Sequence, residues 1–201
     1  MNDLWAVVPV KPLRAAKSRL APALSPERRL RLAENLLAHT LEVLAGWDAL
    51  AGTLVVSADG QVRERCARLG VATLTETGLP GLNISLSCAT ARAVELGARA
   101  VLVVPADLPF LDRDSLRQVI AAAEGGASVV IAPDQTRAGT NALLTAPPGC
   151  IPYLFGPDSF RRHLSAAAEK DLPVREVCLP NLALDIDLPE DLESIRAAGL
   201  Y

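Results

Sequence analysis

The stretch AVLVVPADLPF, Ala100–Phe110, is an apolar run of strand length that ends abruptly at a proline. Directly beyond the run, Asp107 lies between Pro105 and Pro109. A turn is the simplest interpretation, because Asp and Pro are both common in loops. In open α/β sheets, however, ligands bind at the carboxyl ends of strands. Asp107 is therefore also a candidate functional residue, provided that other segments bring matching groups to the same edge.

Apolar runs of strand length alternate with helical patterns along the chain, and this alternation predicts an α/β fold. We expect a three-layer αβα sandwich with a mostly parallel mixed sheet. Ser25, Asn83 and Asp112 are placed to cap helices. The predicted strands are Leu4–Val10, Thr53–Ser57, Val71–Thr75, Ala100–Pro105, Ser128–Pro133, Thr140–Ala146, Val174–Pro180 and a closing strand within Leu182–Asp187.

Composition limits the class of protein. The chain of 201 residues is half hydrophobic and has no linker-like tract, which predicts a single domain over residues 1–201. The apolar runs are too short for a membrane span, and the N-terminus has no signal-peptide pattern, so we expect a cytoplasmic protein. A net charge of −3 and 3% aromatic residues argue against a nucleic-acid surface. The four widely spaced cysteines are interpreted as small buried hydrophobic residues.

Four cations follow the first predicted strand within nine residues: Lys11, Arg14, Lys17 and Arg19. A solvated basic loop is one interpretation. The loop also has the position of a phosphate-binding loop, and its charges suit a triphosphate. It is neither a P-loop nor a G-x-G-x-x-G turn, since the required glycines are absent.

A D-x-D pattern, Asp185 and Asp187, lies near the C-terminal end. If this segment is extended, both carboxylates point to the same side of the chain. Two carboxylates so close repel each other unless a cation neutralises them, and oxygen ligands favour magnesium or manganese. The alternative is that Asp187 or Asp191 caps a final helix beginning near Pro189. We expect both a helix start and a metal site here.

The segment from Thr136 to His163 offers groups for an anion. Gly156 and Ser159 precede a predicted helix whose first amides could face an anion, and Thr140 could add a hydroxyl. Ser159 is equally well explained as an ordinary N-cap. The roles of His163 and of the neighbouring arginines, Arg161 and Arg162, stay open at this point.

Taken together, VPVKPLRAAKSRL, GLN, VPADLPFL, GTNALL, FGPDSFRRH and LDIDLPEDL resemble the guanylyltransferase family of coenzyme F-420 (deazaflavin) biosynthesis. The resemblance extends from about Trp5 to Leu192. It implies a nucleotidyltransferase fold that uses magnesium and transfers GMP from GTP to phosphoenolpyruvate or 2-phospho-L-lactate, and a homodimer is the family expectation. By position, the family's functional residues correspond to the metal ligands Asp107, Asp185 and Asp187, the acid-binding residues Thr140, Gly156 and Ser159, the triphosphate loop with Lys11, Arg14 and Lys17, and the base-recognition residues Gly81 and Asn83. Of these, Lys11, Lys17 and Asp107 are the expected catalytic residues.

Other functions are compatible with parts of this pattern. Nucleotidyltransferases of the same fold that load a molybdenum cofactor or a sugar phosphate typically carry a glycine-rich first loop, which this sequence lacks. A nucleotide-sensing module without catalysis would be expected to have lost some of the carboxylates or cations, and here all are present. The sequence leaves open which phosphorylated acid is used, with 3-phosphoglycerate as a third candidate.

Overall fold

The computed structural model describes residues 3–75, 81–124, 126 and 128–196. Within these ranges the chain forms one sheet of seven strands with helices on both sides. The strands β1 to β7 are Leu4–Pro9, Gly52–Ser57, Ala72–Thr75, Ala100–Val103, Val129–Pro133, Thr140–Thr145 and Val174–Glu176. The helices α1 to α7 are Pro26–Leu44, Gly60–Arg68, Leu82–Glu95, Arg113–Glu124, Ser159–Ala168, Pro180–Ala183 and Leu192–Arg196.

The strand order is β3-β2-β1-β4-β6-β5-β7, and β6 runs antiparallel to both of its neighbours. The other paired strands are parallel, so the predicted mostly parallel mixed sheet is confirmed. Because β6 is reversed, its first residue, Thr140, pairs with Pro133 at the carboxyl end of β5. The start of β6 therefore lies at the same edge of the sheet as the ends of β1, β4 and β5.

Two apolar layers enclose the sheet, as strand alternation requires. On one face, Ala6 and Leu102 pack with residues of α1, α2 and α4. On the other face, Val7 and Val103 pack with α3 and α5. The expected three-layer αβα sandwich is therefore confirmed. None of the described helices is long and apolar enough to cross a membrane.

Two of the predicted helix caps are confirmed. The Ser25 hydroxyl accepts a hydrogen bond from the Arg28 amide at the start of α1 (3.3 Å), and Asp112 accepts one from the Ser115 amide at the start of α4 (2.6 Å). The predicted cap at Asn83 is wrong, because α3 begins at Leu82, so that Asn83 lies inside the helix and Gly81 is at the N-cap. The side chain of Asn83 contacts a different part of the chain, described below.

The predicted closing strand within Leu182–Asp187 is also wrong. Pro180 begins the short helix α6, and residues 184–187 have no regular secondary structure. Proline is favoured at the first position of a helix, where its missing N–H is not needed. The Leu182 carbonyl accepts from the Asn141 side chain, and the Ala183 carbonyl from the Gln135 amide. These contacts replace the ladder bonds that a strand would have made.

The cysteines are only partly as expected. Cys66 is buried in the apolar layer beside α2, whereas Cys88 and Cys178 are exposed and Cys150 is half-buried. All four are free thiols, as the absence of close Cys pairs predicts. The interpretation as buried hydrophobic residues holds for Cys66 and is wrong for the two exposed cysteines.

Candidate active site

Three carboxylates that are distant in the sequence converge at the carboxyl edge of the sheet. Asp107 follows β4, while Asp185 and Asp187 lie in the segment between α6 and α7. One oxygen of each lies within 4.8 Å of the corresponding oxygens of the other two. The backbone joins the two segments directly, since the Ile186 amide donates to the Asp107 carbonyl at 3.2 Å. The convergence predicted from the sequence is thus found in the structure.

Ile186, the residue between the two aspartates, explains how the D-x-D segment is held. Its side chain is fully buried in a third apolar cluster, which packs against the D-x-D segment. The other buried members of this cluster are Leu20, Leu24, Leu32, Leu36, Leu192 and Ile195. The carboxylates of its two neighbours, Asp185 and Asp187, lie beside Asp107. The same cluster ties the basic loop, through Leu20 and Leu24, to the acidic segment.

Lys17 provides a cation inside the acidic centre. Its Nζ lies 3.0 Å from Asp107 Oδ2 and 3.3 Å from Asp187 Oδ1, and its side chain is only 8% exposed. Burial alone would lower the pKa of Lys17, but Asp107 and Asp187 outweigh this effect and raise it above the ordinary value. Arg19 lies 3.5 Å from Asp187 at the exposed rim. Two cations of the basic loop, Lys17 and Arg19, therefore contact the carboxylates of the acidic centre.

Asp185 is half-buried, and its pKa differs from the ordinary value of a carboxyl group. Burial, followed by repulsion from Asp107 and Asp187, raises the pKa of Asp185 to about 6. The Asn141 side chain opposes the shift by donating to Asp185 Oδ1 at 3.5 Å, and the same Nδ2 donates to the Leu182 carbonyl at 2.9 Å. The part of the shift that comes from Asp107 and Asp187 reflects a concentration of negative charge, which an added cation would neutralise.

The donor set fits a hard divalent cation. All three ligands are carboxylate oxygens, the type that magnesium and manganese prefer. With each Mg–O distance about 2.1 Å, two ligands of an octahedral magnesium ion are about 3.0 Å apart when they are adjacent and about 4.2 Å apart when they are opposite. The oxygens of Asp107, Asp185 and Asp187, within 4.8 Å of one another, need only small movements to reach such distances. These three residues could therefore hold a divalent metal ion.

The rest of the basic loop is exposed at the same edge. Lys11 and Arg14 are exposed, and among the described residues neither forms an ion pair. The loop consists of two short 3-10 turns, Leu13–Ala15 and Ser18–Leu20. The first turn is fixed by the Leu13 amide, which donates to Asp59 Oδ2 at 2.9 Å. Lys11 and Arg14 thus extend from an anchored backbone and remain available to an anionic ligand.

A second polar cluster lies beside the start of β6. The Ser159 hydroxyl donates to Thr140 Oγ1 at 3.3 Å, and Thr140 Oγ1 lies 3.1 Å from His163 Nδ1. All three side chains are buried. Thr140 and Asn141 are adjacent on β6 and face opposite sides, so one contacts α5 and the other contacts Asp185. Adjacent residues of β6 therefore connect the Thr140 cluster with the acidic centre.

The N-terminus of α5 differs from the prediction in two respects. Ser159 is not the N-cap, because Asp158 occupies that position and its side chain makes no capping bond. In addition, neither of the first two amides is free. The Ser159 N–H donates to the Gly156 carbonyl and the Phe160 N–H donates to the Ala138 carbonyl, each at 3.1 Å. The Ser159 hydroxyl is used for the contact with Thr140 instead.

Gly156 is exposed and has φ = +118°, a conformation that L side chains rarely adopt. A glycine is therefore required there by the backbone alone. The preceding residue, Phe155, is fixed by Asn83, whose Oδ1 accepts from the Phe155 amide (2.9 Å) and whose Nδ2 donates to the Phe155 carbonyl (3.1 Å). Asn83 thus joins the start of α3 to the segment before α5, and Gly81 lies exposed just before it.

Sequence reasoning missed two residues of the site. Asn141 was visible only as part of GTNALL, and its contact with Asp185 depends on the reversed direction of β6. His163 was considered, but no role was assigned to it, although it contacts both Thr140 and the Leu154 amide. For His163 the available signal was its position four residues after Ser159, which places both side chains on one face of α5.

Comparison with known proteins identifies the family of the chain. The family model described as "Guanylyl transferase CofC like" matches residues 4–199. A phosphoenolpyruvate guanylyltransferase of Rubrobacter xylanophilus is 45% identical over 197 residues, covering 98% of this chain and 95% of the relative. A 3-phospho-D-glycerate guanylyltransferase of Colwellia psychrerythraea is 35% identical over 187 residues, covering 93% and 88%.

Solved structures show the same fold at low identity. A protein from Desulfovibrio desulfuricans G20, assigned as a nucleotide-diphospho-sugar transferase, superposes with a TM-score of 0.81 at 17% identity, covering 99% of this chain and 88% of the other. A nucleotidyl transferase from a Methanothermobacter species gives a TM-score of 0.68 at 20% identity, covering 100% and 99%. With the family model spanning nearly the whole sequence, the chain belongs to the CofC-like guanylyltransferase family and is a nucleotidyltransferase.

Proposed function

We propose that this protein transfers GMP from GTP to phosphoenolpyruvate and releases pyrophosphate, as a step in the biosynthesis of coenzyme F-420. The convergence of Asp107, Asp185 and Asp187 beside Lys17 is the observation that carries the proposal. The relative at 45% identity and a second relative at 41% identity are both named for phosphoenolpyruvate. The relative named for 3-phospho-D-glycerate is 35% identical.

The reaction joins two anions, and this determines what the protein must supply. A phosphate oxygen of the acid forms a bond to the α-phosphorus of GTP, while the bond from that phosphorus to the β-phosphate oxygen breaks. The second pKa of a phosphate monoester is about 6, so the attacking oxygen is already an anion at neutral pH and needs no strong general base. Two unit charges 4 Å apart repel by about 1 to 4 kcal/mol, depending on the effective dielectric. The main task is therefore to neutralise charge.

The residues can be divided between the two substrates. Asp107, Asp185 and Asp187 would hold Mg²⁺, which when bound would neutralise phosphate charge. Lys11, Arg14 and Lys17 would bind the triphosphate, with Lys11 and Lys17 also stabilising charge during transfer. Gly81 and Asn83 would lie near the base. Two groups of the Asn83 amide are already used on Phe155, so one N–H of the amide remains for a ligand.

Thr140, Gly156 and Ser159 would bind the phosphorylated acid. Their position supports this assignment, because Thr140 is adjacent to Asn141, which contacts Asp185 of the acidic centre. An acid held at Thr140 and a nucleotide held at the basic loop would meet at the three carboxylates. A single domain over residues 1–201, a homodimer and a cytoplasmic location remain predictions from the sequence.

Pyrophosphate release tests the proposal directly. Each of the four ribonucleoside triphosphates is incubated with Mg²⁺ and with phosphoenolpyruvate, 2-phospho-L-lactate or 3-phosphoglycerate, and reactions without an acid or without Mg²⁺ are the controls. We expect release with GTP and phosphoenolpyruvate that depends on both the acid and the metal. Release with another acid only would reassign the acceptor, and preference for another nucleotide would overturn the assignment to GTP. Nucleotide binding without turnover would favour a sensing module.

A further inference from the structure

His163 is buried between the two elements that form the proposed acid site. It lies on α5 with no exposed surface, and its ring packs edge-on against Phe155 with the centroids 5.0 Å apart. Nε2 accepts a hydrogen bond from the Leu154 amide at 2.9 Å, and Nδ1 lies 3.1 Å from Thr140 Oγ1. Both ring nitrogens therefore have partners, and one partner is a residue proposed to bind the acid.

The Leu154 contact determines the tautomer of the ring. A backbone N–H can only donate, so Nε2 must be unprotonated to accept from it. Burial, with a smaller contribution from the positive charge of Arg162, lowers the pKa of His163 to about 4, so the ring is neutral at physiological pH. A neutral imidazole carries one proton, which is then on Nδ1. Nδ1 therefore donates to Thr140.

The direction of this hydrogen bond determines what the Thr140 hydroxyl can do. A hydroxyl oxygen has two acceptor positions and one donor. One acceptor position of Thr140 Oγ1 takes the His163 Nδ1–H, and the other takes the Ser159 O–H at 3.3 Å. Among the described residues, nothing accepts from the Thr140 O–H. With the opposite tautomer, Thr140 would have to donate to Nδ1, and no donor would remain for a ligand.

We propose that His163 is a positioning residue that fixes the Thr140 hydroxyl as a hydrogen-bond donor to the phosphorylated acid. The inference rests on the proposed function, because it takes Thr140 to be an acid-binding residue. Ionised phosphate and carboxylate groups have only acceptor oxygens, so the site must present donors to them. The sequence of bonds from the Leu154 amide through His163 to Thr140 supplies one donor and holds it in place before the acid arrives.

Two substitutions separate the two ring nitrogens. In His163→Asn, the side-chain amide can place an N–H near the position of Nδ1 and so keep a donor toward Thr140. In His163→Gln, the amide oxygen can reach the position of Nε2 and keep the Leu154 contact, but no donor faces Thr140. Without that donor, the Thr140 hydroxyl is free to turn toward Ser159. His39→Gln is the matched control, since His39 is the other histidine of the chain and lies on α1.

The kinetic readout is the Michaelis constant for each substrate. For His163→Gln we expect the KM for phosphoenolpyruvate to rise about tenfold, the effect of about one hydrogen bond, with the KM for GTP changed less than about twofold. His163→Asn should recover most of this loss, and His39→Gln should behave like the wild type. Equal increases in both KM values, or equal losses in the Asn and Gln variants, would overturn the inference and indicate that His163 only supports the fold.

A second readout does not depend on catalysis. In protein labelled with ¹⁵N-histidine, NMR at neutral pH should show His163 protonated at Nδ1 and unprotonated at Nε2, with His39→Gln used to assign the signals. Protonation at Nε2 would overturn the inference even if the enzyme is active. If the wild type released pyrophosphate with none of the three acids, the proposed function would fail, and the ligand assigned to Thr140 with it, whatever the tautomer of the ring.

Discussion

Acid should destabilise the wild-type protein through His163, and a variant without a titrating group at this position should be spared. The folded protein keeps the ring neutral, with a pKa of about 4 against an ordinary value of 6.5. Between these two pKa values the unfolded chain binds a proton at residue 163 more readily than the folded protein does. The free energy of unfolding therefore decreases as the pH falls through this range. The contribution of His163 to stability is therefore fully present above pH 6.5 and is lost as the pH falls to about 4.

The size of the effect follows from the gap between the two pKa values. At about 1.4 kcal/mol per pKa unit, the whole effect is about 3 kcal/mol. About 2 kcal/mol of it should already be lost at about pH 5, because the ordinary pKa has been passed and the lower one has not been reached. A loss of this size is a large part of the stability of a typical domain, about 5–15 kcal/mol.

Asp185 acts in the opposite direction and must be separated from His163. Its pKa is raised to about 6 from an ordinary 3.8, so in this window the folded protein binds the proton more readily. Asp185 therefore lowers stability above pH 6, and this loss is relieved as the pH falls. The pH profile of the wild type alone would combine both effects. Asp185→Asn removes one of them, and His163→Gln is compared with its parent in that background.

The assay is urea unfolding in EDTA at about pH 8 and about pH 5, for Asp185→Asn and for Asp185→Asn with His163→Gln. We expect the free-energy difference between the two proteins to change by about 2 kcal/mol, with the histidine-containing protein losing more in acid. Equal losses in both proteins would refute the reasoning, because they would show that His163 is not held neutral by burial.

Four further substitutions test the site. Asp107→Asn should leave the unfolding midpoint nearly unchanged and abolish pyrophosphate release; retention of most of the activity would rule out a role in metal binding. Ser159→Ala should raise the KM for phosphoenolpyruvate with little change for GTP, whereas equal losses for both would indicate a role in the fold. Ile186→Ala and Ile195→Ala should each lower the free energy of unfolding by about 2–4 kcal/mol, since both are fully buried in one cluster. Under conditions where both variants are fully folded, only Ile186→Ala should also lower turnover. Equal turnover in the two variants would contradict the role of Ile186 in holding the carboxylates.

Local patterns in the sequence were sufficient for most of the fold. Continuous apolar runs such as Leu4–Val10 and Ala100–Pro105 are typical of strands covered on both faces, and both became central strands. Ser25 and Asp112 were predicted as caps, because capping depends on bonds within one turn of the chain. Asp107 was predicted by the rule that ligands bind where parallel strands end, and Asp185 and Asp187 by the need of two close carboxylates for a cation.

Three of the errors have a common physical cause, namely side chains whose partners lie far away in the sequence. Asn is a common residue at helix N-caps, but the side-chain amide of Asn83 bonds to the backbone of Phe155, 72 residues away. Ser is also a common residue at N-caps, but the Ser159 hydroxyl donates a hydrogen bond to Thr140. Leu182–Asp187 was predicted to contain a strand, whereas Leu182 and Ile186 are each buried in a different apolar cluster. Patterns of near neighbours do not contain this information.

The direction of β6 places the proposed acid-binding residue Thr140 and the acidic centre at one edge of the sheet. If β6 were parallel to β4 and β5, its carboxyl end, Thr145, would lie at this edge. The Thr145 side chain is buried and its hydroxyl already accepts a hydrogen bond from the Gly149 amide. Because β6 is antiparallel, Thr140 and Asn141 occupy the edge instead. Strand alternation then turns Thr140 toward α5, where the acid is proposed to bind, and Asn141 toward Asp185. Since adjacent residues fix the two clusters, any shift of β6 by one residue would exchange their faces and separate the acid site from the carboxylates.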